Sequence, residues 1–193
     1  MTVLVISNDE RSWLWEPFAR AWNASGQVGI GPVLFVTREK EVEIDGFGSL
    51  PMKSDDWSTR FKSALKEIGE NRVIVMMDDY LATSSVDWQE PLSLPGLVVG
   101  VHTGSRYYRL SAPMGSVQRF APDSPYQASM QAAIWDTRLL SSLLVPGESP
   151  WTFERAATER MIQMGVCRQF IETDWYIHAV KRGNVLPEAE SLL

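Results

Sequence analysis

Residues 72–88 read RVIVMMDDYLATSSVDW, and this stretch decides the fold that the sequence predicts. Five apolar residues, Val73 to Met77, run directly into two adjacent acids, Asp78 and Asp79. A short apolar run rich in β-branched residues predicts a buried strand. Two neighbouring carboxylates at its end repel each other unless a positive group lies between them. The stretch therefore predicts a central strand, and it raises the question of which positive group lies between the two carboxylates.

The segments before this strand alternate between strand and helix patterns. Residues 2–7 and 32–37 are short β-branched runs, and apolar residues recur at helical spacing over 13–25. Residues 54–69 begin with capping residues, carry an apolar stripe and close on a glycine, which predicts a helix. Such alternation is typical of a parallel, doubly wound sheet. Residues 38–51 contain many turn-forming residues, and we predict no strand there.

The second half has shorter, strand-like segments separated by turn residues, together with helices over 137–144 and about 151–164. No repeat, low-complexity tract or linker interrupts the chain. We therefore predict one α/β domain over residues 1–193 with a mixed, parallel-centred sheet flanked by helices. About 1–95 would form one half and about 96–193 the other, with the sheet changing character soon after Asp79. The segment 126–135 could be a strand or a helix, and we favour a strand because Asp136 is placed to cap the helix that follows. The segments that we predict as strands in the second half are 96–103, 106–112, 116–122, 126–135, 167–172 and 175–180.

Composition excludes some classes of protein. Hydrophobic residues make up 45% of the 193 residues and charged residues 22%, as in ordinary globular proteins. The net charge of −6, without a Lys/Arg block, disfavours a protein that binds nucleic acid nonspecifically. No apolar run approaches the roughly 18 residues that a membrane helix needs. The single cysteine, Cys167, and a start unlike a signal peptide lead us to expect a cytoplasmic protein.

The two aspartates suggest a ligand site. In open α/β sheets, ligands bind beyond the carboxyl ends of the strands. Paired carboxylates there are suited to Mg²⁺ or Mn²⁺, which also takes phosphate oxygens. The alternative is that the strand simply ends at water, or that an aspartate caps a turn.

Several segments, in order, resemble a family of small glycosyltransferases found in bacterial surface-polysaccharide loci and in phages. The resemblance implies a GT-A-like (Rossmann-like) fold, a nucleotide-sugar donor and transfer of the sugar to an acceptor. It runs from about residue 3 to 186, although residues 96–126 match no motif of the family. The matching segments are VISNDERSWLWEPF (5–18), DDWSTRFKSAL (55–65), VIVMMDDYLATSSVD (73–87), QAAIWDTRLLSSLLVPGESPWTFE (131–154) and AVKRGNVL (179–186).

The resemblance gives roles to residues on the donor side. Ser7, Asp9 and Arg11, in the loop after the first strand, would lie beside the base and ribose, unless Asp9 or Ser12 instead caps the next helix. The guanidinium of Arg60 would bind the diphosphate or a sugar hydroxyl, unless it lies in solvent on the helix face. A divalent Mn²⁺ or Mg²⁺ cofactor would have Asp79 as its direct ligand and Asp78 as a ligand through water or the sugar.

On the acceptor side, inverting transfer needs a general base, and the box GESPWTFE offers Glu148 and Glu154. Glu154 could equally be an acid that interacts favourably with the helix dipole. Trp151 is a candidate platform for a sugar ring, with core packing as its alternative, and Gln131 and Trp135 are candidates for lining the acceptor side. Further candidates are His102 and His178, each more readily explained as a structural residue, and Lys181 with Arg182 as a C-terminal flap over the diphosphate.

The leading hypothesis is a metal-dependent glycosyltransferase that takes a UDP-linked sugar by default. Its acceptor would be a glycan or, less readily for an acidic chain, a modified base in phage DNA. A non-catalytic nucleotide-sugar-binding module is an alternative. A nucleotidyltransferase is another, although the N-terminal region lacks a glycine-rich, basic phosphate loop. Because the chain is short, we expect a homodimer, another partner or a membrane-surface acceptor to complete the acceptor site.

Overall fold

The strand predicted before Asp78 is present and lies inside a large sheet. The computed structural model describes residues 1–27, 30–104, 107–111, 116–181 and 183–193. Within these ranges the strands, in chain order, are β1 (Val3–Ile6), β2 (Val33–Thr37), β3 (Phe47–Pro51), β4 (Arg72–Met77), β5 (Tyr80–Ala82), β6 (Val98–His102), β7 (Val117–Arg119), β8 (Ala133–Asp136), β9 (Gln169–Glu172), β10 (Tyr176–His178), β11 (Val180–Lys181) and β12 (Asn184–Val185).

Eight of these strands form one mixed sheet in the order β3-β2-β1-β4-β8-β6-β9-β7. β1 is parallel to β2 and β4, and β2 is parallel to β3. β8 runs antiparallel to both of its neighbours, β4 and β6. On the far side, β9 is parallel to β6 and antiparallel to β7. The mixed, parallel-centred α/β fold is confirmed, and strand direction changes where β8 joins β4.

Helices cover both faces of the sheet. α1 packs on one face, where a core cluster also includes Trp88 and Trp175. α2, α4 and α5 pack on the other face. The predicted cap Asp136 is present, since its carboxylate accepts a hydrogen bond from the Leu139 N–H at the start of α4. The α-helices are α1 (Trp15–Ala24), α2 (Trp57–Ile68), α3 (Gln89–Ser93), α4 (Thr137–Leu143) and α5 (Pro150–Gln163), and 3₁₀ helices span Asp9–Leu14 and Pro187–Ala189.

The burial of β1 shows why the sequence begins with a continuous apolar run. Val3 and Val5 belong to the core cluster under α1. Leu4 and Ile6 belong to the cluster under α2, α4 and α5. A strand covered on both faces needs apolar residues at every position, as parallel sheets usually do.

Three parts of the secondary structure differ from the sequence prediction. Where a strand is predicted over 106–112, the described residues 107–111 form only an isolated bridge between Leu110 and Phe120. The turn-rich stretch before Pro51 contains β3, an edge strand paired with β2. Gly48 has a packing role there, because a Cβ at that position would lie 2.7 Å from Leu34 Cδ2. The strand predicted over 126–135 is real only from Ala133 onward, and the preceding residues form turns.

The C-terminal segment returns to the first half of the chain. β10 pairs antiparallel with β5, directly after the two aspartates, and β11 pairs with β12. This return places the end of the chain beside the carboxyl end of β4. None of the described helices is long and apolar enough to cross a bilayer.

Candidate functional site

The carboxyl ends of β1 and β4 form the base of the site. Because the strands are parallel neighbours with Ile6 opposite Met77, the residues that follow them meet at the same edge of the sheet. Ser7 Oγ donates a hydrogen bond of 2.6 Å to Asp78 Oδ2. Trp15 Nε1 in turn donates to Ser7 Oγ at 2.8 Å. One oxygen of Asp78 is therefore held in place by a chain of hydrogen bonds.

Arg11 is the positive partner of the two aspartates. Its Nη2 atom lies 2.9 Å from Asp78 Oδ1 and 3.1 Å from Asp79 Oδ2. The 3₁₀ helix after β1 positions it, since the side chain of Asn8 caps that helix by accepting a hydrogen bond from the Arg11 N–H. Asn8 thus takes the capping role that the sequence gave to Asp9 or Ser12. In the described structure, the positive group between the two aspartates is therefore a protein side chain.

One arginine does not fully offset the burial of Asp78. This side chain is 0% exposed. Burial raises the pKa of Asp78 to about 7, although the Arg11 charge and the Ser7 hydrogen bond lower it. Within the described residues, Asp78 Oδ1 and Arg11 Nη2 are buried and make no hydrogen bond, so their contact is ionic only.

A cavity of about 1200 Å³ opens beside Asp79. Its size is ample for a nucleotide with an attached sugar. Most of the residues that the sequence assigned to a site line it: Ser7, Arg11, Arg60, Asp78, Asp79, Gln131, Trp151 and Glu154. Their side chains come from both halves of the chain, so the tertiary structure brings donor and acceptor candidates to one cavity.

Glu154 lies on the wall formed by α5. Its Oε1 accepts hydrogen bonds from the Met130 N–H at 2.6 Å and from Ser129 Oγ at 3.2 Å. Burial raises the pKa of Glu154 above its usual value, and these hydrogen bonds lower it only in part. A partly buried carboxyl with a raised pKa at the edge of a cavity suits proton transfer.

Three of the predicted site residues lie elsewhere. Asp9 does not line the cavity, because its carboxylate accepts hydrogen bonds from the backbone N–H groups of residues 38–40. Glu148 faces Arg160, with 2.9 Å between the Arg160 Nη2 atom and a carboxylate oxygen. Trp135 is fully buried in the core on β8. Asp9 thus holds a neighbouring loop in place, Glu148 forms an ion pair and Trp135 belongs to the core. These positions correct all three predictions.

The remaining candidates also separate by position. His102 is fully buried, and burial lowers its pKa to about 3, which keeps it neutral and structural. His178 lines the cavity next to Tyr80, with 4.5 Å between ring centroids. Lys181 also lines the cavity, whereas Arg182 lies outside the described residues.

Sequence reasoning missed an aromatic group around the cavity. Trp13 is 51% exposed, and Tyr107 and Tyr126 are exposed as well. Tyr126 has a φ of +62°, a left-handed conformation that is unusual for a bulky residue. Backbone strain of this kind is often found at ligand sites. No periodic pattern marks these residues in the sequence, although aromatic residues in turn-rich segments are a usable signal.

The donor set fits a divalent cation in part. Asp78 and Asp79 both line the cavity, and Asp78 Oδ1 is a buried oxygen that pairs with Arg11 but makes no hydrogen bond among the described residues. The described part of the chain contains no group of three or more His, Cys, Asp or Glu side chains that could hold a metal. Two carboxylates are enough for Mg²⁺ or Mn²⁺ when a substrate phosphate completes the shell. A cation would therefore be held by Asp79 and Asp78 together with a phosphate.

The fold is similar to that of several solved enzyme structures. CMP:2-keto-3-deoxy-manno-octonic acid synthetase complexed with CTP superposes with a TM-score of 0.62 at 11% identity, over 98% of this chain and 95% of that chain. UDP-glucose pyrophosphorylase complexed with UDP-glucose gives 0.54 at 10% identity, over 90% of each chain. A mannosyltransferase from Pyrobaculum calidifontis in complex with GDP-Man and Mn²⁺ gives 0.53 at 15% identity, over 94% of this chain and 57% of that chain.

These similarities establish the fold class. The chain has the α/β fold shared by these nucleotidyltransferases and nucleotide-sugar transferases, which confirms the expected GT-A-like, Rossmann-like architecture. At such low identity, the similarity is one of fold alone. No protein-family model matches the sequence, and no curated protein is detectably similar to it.

Proposed function

We propose that the protein is a glycosyltransferase that moves a sugar from a nucleotide-diphosphate sugar, UDP-linked by default, to a hydroxyl group of a glycan. The observation that carries this proposal is the position of Asp78 and Asp79 at the carboxyl end of β4, with Asp79 facing a cavity that Glu154 also lines. The sequence resemblance to small glycosyltransferases supports the same function.

On the donor side, Ser7, Arg11 and Arg60 line the part of the cavity next to β1 and α2. Arg60 donates hydrogen bonds through Nη1 to the carbonyl oxygens of Ser54 and Asp55. These contacts hold its guanidinium in place near the start of α2. We propose that this fixed positive charge and that of Arg11 bind the donor diphosphate.

The charge of the cavity supports a role for a metal. Six acidic side chains line it against three basic ones among the described residues. A diphosphate is repelled by such a surface unless a cation accompanies it. Bound at Asp78 and Asp79, Mn²⁺ or Mg²⁺ would stabilise the negative charge on the departing nucleoside diphosphate. The acidic residues are Glu10, Asp55, Asp78, Asp79, Glu154 and Glu188, and the basic ones are Arg11, Arg60 and Lys181.

We propose Glu154 as the general base of an inverting transfer. Its raised pKa makes the carboxylate a stronger base, which favours accepting a proton from a sugar hydroxyl. The Met130 N–H and Ser129 hydroxyl fix one carboxylate oxygen, which orients the group relative to the cavity. Glu148 is a poor base in comparison, because its carboxylate is paired with Arg160.

The exposed aromatic residues support a glycan acceptor. Trp151 is 73% exposed at the start of α5, and Trp13 is half-exposed on the other side of the cavity. Flat aromatic faces pack well against sugar rings. A DNA acceptor would need basic residues along its phosphates, and the acidic lining of the cavity disfavours it.

A nucleotidyltransferase is the second candidate function, because two of the similar structures are a CMP-sugar synthetase and a UDP-glucose pyrophosphorylase. The loop after β1 argues against it. Residues 7–11 read SNDER, without the glycines that let a loop approach a triphosphate. The products distinguish the two functions: a nucleotidyltransferase releases pyrophosphate, and a glycosyltransferase releases a nucleoside diphosphate. A non-catalytic binding module would release neither.

A thermal-shift panel tests donor and metal binding, and an assay of the donor that is bound for released nucleoside diphosphate or pyrophosphate then separates the candidate functions. Nucleotide sugars are added one at a time with and without Mn²⁺ to the wild-type chain, to Asp79→Asn and to Asp123→Asn. We expect one donor to raise the melting temperature in a Mn²⁺-dependent way, and Asp79→Asn to remove that shift. Asp123, an exposed partner of Arg109, is a matched control that retains it. A wild-type chain that no nucleotide sugar stabilises would contradict the proposed function.

A further inference from the structure

Arg11 occupies the position that a cation between the two aspartates would take. A single nitrogen, Nη2, contacts Asp78 Oδ1 at 2.9 Å and Asp79 Oδ2 at 3.1 Å. Both of these oxygens belong to the pair of carboxylates that would hold a divalent cation. Arg11 and a directly bound cation therefore compete for the same oxygens.

The surroundings allow Arg11 to leave the aspartates. Its side chain is 27% exposed and lines the cavity, so a rotation about its side-chain bonds can move the guanidinium from its buried contact with the aspartates into open space. Its backbone stays in place, because Asn8 accepts a hydrogen bond from its N–H. Asp78 cannot follow, since Ser7 holds its other oxygen. A cation that arrives at the carboxylates would thus displace the arginine and leave the acids in place.

We infer that Arg11 is an exchangeable counter-ion, which pairs with Asp78 and Asp79 in the free protein and moves to the donor diphosphate when a divalent cation binds the aspartates. This inference rests on the proposed function. It gives Arg11 a role as counter-ion to the two aspartates, which its expected position beside the base and ribose does not imply.

The exchange makes the binding of cation and donor mutually dependent. Without a donor, a cation must break two ion pairs and leave a guanidinium unpaired in the cavity. With a diphosphate present, the released guanidinium gains an anionic partner. Each ligand then strengthens the binding of the other by the same factor, as linkage requires. The free protein should consequently bind Mn²⁺ weakly, despite its two carboxylates.

The test measures the affinity of Mn²⁺ for the protein without any donor, by electron paramagnetic resonance of free Mn²⁺, in wild type and in Arg11→Gln. We expect Arg11→Gln to bind Mn²⁺ about tenfold more tightly, a factor within the usual range of coupling between sites. Arg20→Gln is the matched control, because Arg20 lies on α1 and bonds the carbonyl oxygens of Leu192 and Leu193. Its affinity for Mn²⁺ should equal that of wild type.

Stability gives a second measurement in case Arg11→Gln folds poorly. The variant leaves two acids without their counter-ion, so its melting temperature should fall, and Mn²⁺ should restore it where NaCl of equal ionic strength does not. Arg11→Lys keeps a positive charge and should give a Mn²⁺ affinity between those of wild type and Arg11→Gln. With Mn²⁺ saturating, UDP should bind Arg11→Gln at least roughly tenfold more weakly than wild type. The reason is that the variant lacks the guanidinium that would contact the diphosphate.

Equal or weaker Mn²⁺ binding by Arg11→Gln would overturn the inference. This result is distinct from failure of the proposed function. If wild type responds to a nucleotide sugar but Arg11→Gln does not bind Mn²⁺ more tightly, only the exchange is wrong. If no nucleotide sugar or nucleoside diphosphate binds wild type, the proposed function is wrong, whatever Mn²⁺ does.

Discussion

At the scale of single residues, environment separates acids that look equivalent in the sequence. Glu148 and Glu154 flank the start of the same helix. Glu148 pairs with Arg160, while Glu154 lies in the cavity wall with a raised pKa. Asp78 is 0% exposed and Asp79 is 9% exposed, although they are neighbours in the chain and both line the cavity. Burial and partner, and not residue type, assign each acid its chemistry.

We predict that Glu154→Gln lowers kcat by at least roughly a hundredfold, the range expected for a lost general base, while donor binding in the thermal-shift panel is unchanged. Glu148→Gln, the matched control, should keep most of the activity. In wild type, a base works only when deprotonated, so activity should fall with decreasing pH at an apparent pKa above the usual glutamate value. A Glu154→Gln enzyme that turns over as fast as wild type would contradict the assignment.

At the scale of elements, α2 and the loop before α5 are joined by one carboxylate. Asp56 caps α2 by accepting hydrogen bonds from the Thr59 N–H and from the hydroxyls of Ser58 and Thr59. Its Oδ1 also accepts one from the Gly147 N–H at 2.9 Å. Burial raises its pKa, but these hydrogen bonds together outweigh burial and lower the pKa of Asp56 to about 2. The carboxylate thereby fixes the loop that leads to Trp151 and Glu154.

We predict that Asp56→Ala lowers the free energy of unfolding by about 1–2 kcal/mol at pH 7, as loss of an N-cap does. Because the folded pKa lies below the unfolded one, the contribution of Asp56 is present above about pH 4 and disappears as the pH falls towards 2. Urea unfolding between pH 2 and 7 should show the gap between wild type and variant closing in acid. Asp55→Ala, which removes an exposed ion pair with Arg38, is the control and should cost less than about 0.5 kcal/mol.

At the scale of the whole molecule, one sheet joins the two halves of the chain. β4 of the first half pairs with β8 of the second over four residue pairs, from Arg72–Asp136 to Val75–Ala133. The pairing of β10 with β5 joins the C-terminal segment to the first half a second time. The cavity lies where these connections meet, so residues from both halves line it.

We predict that the protein unfolds in a single cooperative transition, as one domain with a shared sheet should. Far-ultraviolet circular dichroism and tryptophan fluorescence should give the same midpoint in urea, and the calorimetric and van't Hoff enthalpies should agree. Two separated transitions would show that the halves about 1–95 and about 96–193 are independent domains.

The sequence by itself determined the features that local patterns encode. Buried strands follow from β-branched runs, helices from apolar spacing, and helix starts from caps such as Asp56 and Asp136. The position of Asp78 and Asp79 at the carboxyl end of a central strand follows in the same way. Each of these signals depends on residues close together in the chain, where spacing dictates burial and backbone hydrogen bonding.

Only the tertiary structure decided which side chains meet. It placed Arg11 between the two aspartates and directed the carboxylate of Asp9 to the backbone of a loop. It also buried Trp135 and placed Glu154, but not Glu148, in the cavity wall. It also made an edge strand in the stretch 38–51, whose two glycines and one proline suggested turns. The physical reason is that these contacts join residues far apart in the chain. Their geometry depends on strand order and on which strand ends share an edge, which local spacing does not encode.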